Sequence, residues 1–75
     1  MKHVVITGAN RGIGLELARI YSQLYPVTAI CRSSSNELEA LQHVTVIKDV
    51  DMRSWATIQH AIEQCDQKID LLICN

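Results

Sequence analysis

Short β-branched runs alternate along this chain with longer stretches of helical period, the pattern of βαβ units and a parallel sheet. Val4-Val5-Ile6-Thr7 is a continuous apolar run, as expected of a central strand covered on both faces, and it ends at Gly8. From Gly12 onward, Ile13, Leu17, Ile20 and Leu24 follow at offsets of four, three and four, so they share one stripe of a first helix that Pro26 ends. Val27 to Cys31 predicts a second strand with Arg32 at its carboxyl end, and Ser33-Ser34-Ser35 is a polar loop. Asn36 and Glu39 have the spacing of a capping box and open a short helix through Leu38 and Leu41. The third strand is expected at about Val44 to Lys48.

Asp51 or Ser54 is the expected N-cap of a further helix, whose Trp55, Ile58, Ile62 and Cys65 form an apolar stripe facing a sheet. Asp66-Gln67-Lys68 is a polar turn, and Ile69 to Cys74 is a fourth strand. Right-handed crossovers make the first three strands step outward in one direction, with both helices on one face. The chain then returns across the sheet, the Trp55 helix covers the opposite face, and the fourth strand lies beside the first in the order 3-2-1-4. That reversal opens a crevice at the carboxyl ends of the first and fourth strands.

Composition changes this picture little. The 75 residues are 48% hydrophobic and 20% charged with a formal net charge of -1, so neither a nucleic-acid nor a membrane partner is implied. The four-residue stretch after His3 is too short for a signal-peptide core, and a cytoplasmic address is the expectation. Cys31, Cys65 and Cys74 lack C-x-x-C spacing and are expected as small buried hydrophobes. His3, His43 and His60 lack metal-ligand spacing and are expected at strand ends and on a helix surface, with no metal site.

Chemistry concentrates in Thr7-Gly8-Ala9-Asn10-Arg11-Gly12-Ile13-Gly14, which joins the first strand to the first helix and holds all three glycines of the chain. Gly8 lets the backbone leave the strand sharply, Gly12 lets it approach a pyrophosphate, and Gly14 lets helix and strand pack closely. The free N–H groups of the helix's first turn then face an anion. Gly8, Asn10, Arg11, Gly12, Ile13 and Gly14 are therefore candidate cofactor-contacting residues. The spacing G-x-x-x-G-x-G differs from G-x-G-x-x-G, and no Lys-Ser/Thr pair follows it, which excludes a P-loop.

This octapeptide resembles the T-G-x-x-x-G-x-G signature of classical short-chain dehydrogenases/reductases. Leu15-Glu16-Leu17-Ala18 and Cys31-Arg32-Ser33 further resemble the carbonyl-reductase and C-factor-like branch, and the resemblance runs from Lys2 to Asn75. It implies an α/β fold: a partial Rossmann-type, doubly wound parallel sheet forming the N-terminal dinucleotide-binding half of a domain. An acid at the end of the second strand would favour NAD, but Cys31 and Arg32 stand there. Arg32 is suited to bidentate contact with a 2'-phosphate, Arg11 is expected to reach the same group from the other side, and Ser33 can add a hydroxyl. The expected cofactor is NADP(H).

Asp49 and Val50 match the family's acidic-aliphatic pair, in which the carboxylate takes the adenine amino group and the next backbone N–H meets a ring nitrogen. Cys74-Asn75 resembles the start of the family's N-N-A-G motif, with Cys74 in place of its first Asn; the resemblance puts Asn75 near the nicotinamide-side ribose and in the support of the sheet. The family's chemistry needs a Tyr, a Lys four residues later and a Ser. Tyr21 and Tyr25 are not followed by that Lys, so no catalytic residue is expected here and the carbonyl or alcohol substrate belongs to another half. Two rivals stand beside the enzyme reading: a stand-alone nucleotide-binding module, or a remnant that does not fold alone. The exposed edge of the fourth strand makes a homo-oligomer the expectation.

Overall fold

Each β-branched run becomes a strand. The computed structural model, which describes residues 2–65 and 67–75, contains β1 (Val4–Thr7), β2 (Val27–Ile30), β3 (Val44–Ile47) and β4 (Leu71–Cys74) in one sheet of order β3-β2-β1-β4. All three neighbouring pairs are parallel, with Val4 opposite both Val27 and Leu71, and Val27 opposite Val44. The expected α/β, doubly wound arrangement with three helices is the one observed. The turn expected at Asp66-Gln67-Lys68 has its first residue outside the described set.

Strand alternation divides the core into two layers. Val4, Ile6, Val27 and Ala29 point to the face covered by α1 (Gly12–Ser22) and α2 (Asn36–Glu39), together with buried Ala18 and Leu38. Val5 and Ile30 point to the opposite face, where Ala61, Ile58 and Ile62 of α3 (Trp55–Glu63) cover them. At the amino end of the sheet, buried His3 shares a hydrogen bond of 2.8 Å between its Nε2 and Thr28 Oγ1. Among the described residues, no helix is long and apolar enough to cross a membrane.

The stripe that faces the sheet on α1 is not the one the large hydrophobics predict. Gly14, Ala18 and Ser22 are its buried residues, while Ile13 is 73% exposed, Ile20 48% and Leu24 69%. Small side chains at four-residue spacing let the helix lie close to β1 and β2, and the packing around them is completed by half-buried Leu15, Leu17, Tyr21 and Tyr25. The helix ends at Ser22, ahead of Pro26, and Leu24 and Tyr25 fall in the following turn, where both amides donate to the Tyr21 carbonyl.

Several boundaries move for local reasons. Ser35, not Asn36, caps α2: its side chain accepts the Leu38 amide at 3.2 Å. Of the two caps expected for α3, Asp51 or Ser54, it is Ser54 that serves, accepting the Thr57 amide at 3.4 Å. Trp55 is 59% exposed, so the sheet-facing stripe of α3 begins at Ile58. The third strand stops at Ile47 and the fourth begins at Leu71. Cys31 is buried and Cys65 half-buried, but Cys74 is exposed, because β4 pairs with β1 alone and stands at the edge of the sheet.

The small-residue stripe predicts an inverted substitution pattern on α1. Ala18→Leu, which forces volume between helix and sheet, is expected to cost about 1–3 kcal/mol of unfolding free energy. Ile20→Gln, on the exposed face, is expected to stay within about 0.5 kcal/mol. Urea unfolding of the two variants measures both; the opposite order would mean that the large hydrophobics carry the packing.

Candidate functional site

Because all four strands are parallel, their carboxyl ends lie on one edge of the sheet, and every candidate residue is found along that edge, in two corners.

The first corner is the elbow between β1 and α1. The Gly8 amide donates to the Ile30 carbonyl at 2.8 Å, which extends the pairing of β1 with β2 by one residue before the chain turns. Gly8 makes that turn with φ of +66°, a conformation costly for any side chain. Gly14 then brings the helix back onto the turn so closely that a Cβ there would lie 2.2 Å from the Gly8 carbonyl oxygen and 2.6 Å from Asn75 Nδ2. Asn75 closes the corner from β4: its amide donates to Thr7 Oγ1 at 3.1 Å and its carboxamide to the Gly8 carbonyl at 3.0 Å. The elbow, the helix start and the end of β4 are thus one hydrogen-bonded unit at the point where strand order reverses.

Gly8, Asn10, Arg11, Gly12, Ile13 and Asn75 line an open cleft over this unit, and Gly14 is buried beneath it. The start of α1 differs from the other two helix starts. Ser35 and Ser54 place hydroxyls on the first-turn amides of α2 and α3, whereas Arg11 occupies the N-cap position of α1 and makes no side-chain cap bond. First-turn amides left without a cap, beside a backbone free of Cβ atoms, fit a phosphate ester. The donor set therefore suits the diphosphate of a dinucleotide.

The second corner joins the ends of β2 and β3. The Cys31 amide donates to the Ile47 carbonyl at 3.0 Å, the Asp49 amide to the Arg32 carbonyl at 2.9 Å, and the Val50 amide to the Cys31 carbonyl at 3.2 Å. This staple turns Asp49 into the left-handed region, at φ of 64°. It also holds Arg32, Ser33, Asp49, Val50, Asp51 and Arg53 around an open cleft of about 350 Å³.

Two features of the geometry concern residues expected to contact the nucleotide. The Val50 amide, expected to meet an adenine nitrogen, is already engaged by Cys31, and Val50 is buried as part of the core over α3. Arg11 lines the cleft at the elbow, and Arg32 lines the cleft at the β2–β3 corner. The cation that joins Arg32 is Arg53, which neither strand pattern nor motif spacing singles out. Its amide and its Nε both donate to Asp51 Oδ1, at 3.0 and 3.4 Å. The amide bond first, then the Arg53 side chain and the charge of Arg32, hold the Asp51 carboxyl below the usual carboxylate range. The signal that could have found Arg53 is a basic residue two places after an acid, in a loop leaving a strand's carboxyl end.

Cys31 lies just beneath this corner, and burial pushes its thiol pKa up, which keeps it a neutral packing group. Among the described residues no group of three or more His, Cys, Asp or Glu side chains is placed to hold a metal ion.

The two α1 glycines should respond unequally to a methyl group. Gly14→Ala meets backbone at 2.2 Å, whereas a Cβ at Gly12 meets nothing within 4 Å and adds only the strain of φ +59°. Gly12→Ala is expected to cost about 1–2 kcal/mol, and Gly14→Ala more than that, because the helix must move off the elbow. Urea unfolding of both variants checks the order.

A family model described as short chain dehydrogenase matches residues 2–75. No curated protein matches the chain.

Proposed function

The chain belongs to the short-chain dehydrogenase family, a family of nucleotide-binding oxidoreductases, and from that premise we propose that it holds NADP(H) for hydride transfer to or from a carbonyl or alcohol substrate. The observation that carries the choice of cofactor is the residue set after β2: Arg32 and Ser33 line the cleft at that strand end, and no acid stands between Ile30 and Ser35. A carboxylate there would favour the 2',3'-diol of NAD, whereas a guanidinium with a neighbouring hydroxyl favours a 2'-phosphate.

The rest of the site agrees with this assignment. The uncapped first turn of α1 offers amides for the diphosphate, Asp49 lines the β2–β3 corner as an acceptor for an adenine amino group, and Asn75 holds the β4 end against the elbow on the nicotinamide side. When bound, NADP(H) supplies the hydride, and this chain's residues bind and orient it. Neither Tyr21 nor Tyr25 is followed four residues later by a Lys, so the role proposed for this chain is confined to holding the nucleotide, with the carbonyl or alcohol specificity resting on the likeness to the carbonyl-reducing branch.

Arg32→Asp is the direct test. It should weaken NADPH binding by roughly ten- to a hundred-fold, the worth of a charge-assisted contact, and leave NADH much less affected. Titrations of the two reduced nucleotides followed by fluorescence give the ratio. Equal loss for both would remove the 2'-phosphate assignment.

A further inference from the structure

We propose, building on the 2'-phosphate reading above, that Arg53 is a second cationic ligand of that phosphate, and that Asp51 is the resident anion its guanidinium leaves when the phosphate enters. The β2–β3 corner carries two guanidiniums, Arg32 and Arg53, and two carboxylates, Asp49 and Asp51, around one cleft. Arg32 alone would face two carboxylates, and a phosphate monoester would enter against net negative charge. Arg53 brings the corner to formal balance, so its contribution decides whether a phosphate gains or loses by entering.

The geometry separates what is fixed from what can move. The Asp51 carboxylate accepts the Arg53 backbone amide at 3.0 Å, a bond that belongs to the turn itself, and the Asp51 carbonyl accepts the Ser54 amide and the Thr57 hydroxyl at the start of α3. The guanidinium, by contrast, touches Asp51 through a 3.4 Å bond from Nε, on a side chain that is 86% exposed. An exposed pair of this length is weak and readily exchanged. A guanidinium has five N–H donors in a planar fork that suits a phosphate better than one long bond to a carboxylate. Turning from Asp51 to phosphate therefore breaks nothing that holds the loop, and leaves Asp51 as a nearby negative charge that opposes the phosphate.

Asp51→Asn isolates this charge, because the asparagine oxygen keeps the acceptor for the Arg53 amide. The readout is the affinity ratio of the intact protein for adenosine 2',5'-bisphosphate over adenosine 5'-monophosphate, by calorimetric titration, since the two differ only in the 2'-phosphate. Arg53→Gln should lower this ratio by about 3- to 10-fold, and Asp51→Asn should raise it by a similar factor, with 5'-monophosphate affinity unchanged in both, as expected for exposed charges acting on a phosphate. Circular dichroism of both variants verifies that they are folded. A wild-type protein with no preference for the bisphosphate would overturn both this proposal and the 2'-phosphate reading. A wild-type preference that Arg32→Gln abolishes, but that neither Arg53→Gln nor Asp51→Asn moves by more than about twofold, would overturn this proposal alone.

Discussion

The approach of α1 to the elbow governs most of the architecture. Residue 14 can carry no Cβ because the Gly8 carbonyl already fills the place where one would sit, and Asn75 Nδ2 crowds it from the other side. That approach lets α1 begin within one short turn of the end of β1, which in turn lays Ala18 and Ser22 flat against β1 and β2 and keeps the helix start at the sheet edge. A helix held farther off would need larger side chains on its inner stripe, and the exposed Ile13 and Ile20 show that those are on the outer one. Asn75 makes the contact three-sided: its carboxamide donates to the same Gly8 carbonyl, so the end of β4 is tied to the elbow as well as to β1 through the parallel ladder.

The two corners of the site are built on different principles, although the parallel sheet puts both on the same edge. At the elbow the backbone itself is the ligand-facing surface: amides without a cap and a path cleared of Cβ atoms. At the ends of β2 and β3, three backbone hydrogen bonds cross between the strand exits and force Asp49 into the left-handed region. A non-glycine residue held there stores strain, and what it achieves is to aim a run of charged side chains at one cleft. The strain is compensated by the staple and by Val50, which leaves the turn to join the core over α3.

How much of this could be read in the sequence follows from which physical signal each feature leaves. The strands and their order were legible because β-branched runs and right-handed crossovers restrict topology severely. The elbow was legible because three glycines in one strand-to-helix turn mark where backbone must pass close to backbone. The inner face of α1 was not legible from hydrophobic offsets, since a stripe of Gly14, Ala18 and Ser22 carries no strong apolar signal while Ile13, Ile20 and Leu24 do. The cap of α2 moved by one residue, from Asn36 to Ser35, and for α3 the sequence left Asp51 and Ser54 open, because a serine stands beside another plausible cap at both helix starts and only geometry decides between them. Arg53 was invisible to motif spacing because it reaches the cleft through the loop after β3, and the occupied Val50 amide was invisible because a backbone bond leaves no trace in residue type.

A division of labour follows from the contrast between the corners. Helix-end amides attract any diphosphate and are insensitive to what decorates the far ribose, so under the proposed reading the elbow would supply affinity common to related dinucleotides. Preference among them has to come from fixed charges near that ribose, and those are side chains on a surface loop rather than parts of the packed turn. A balanced set of two guanidiniums and two carboxylates is a sensitive arrangement, because changing any one member shifts the sign of the local field. Under the proposed reading, the residues that would set cofactor preference, Arg32, Asp51 and Arg53, line a cleft apart from the Gly8–Gly14 contact on which the fold's site-bearing edge depends.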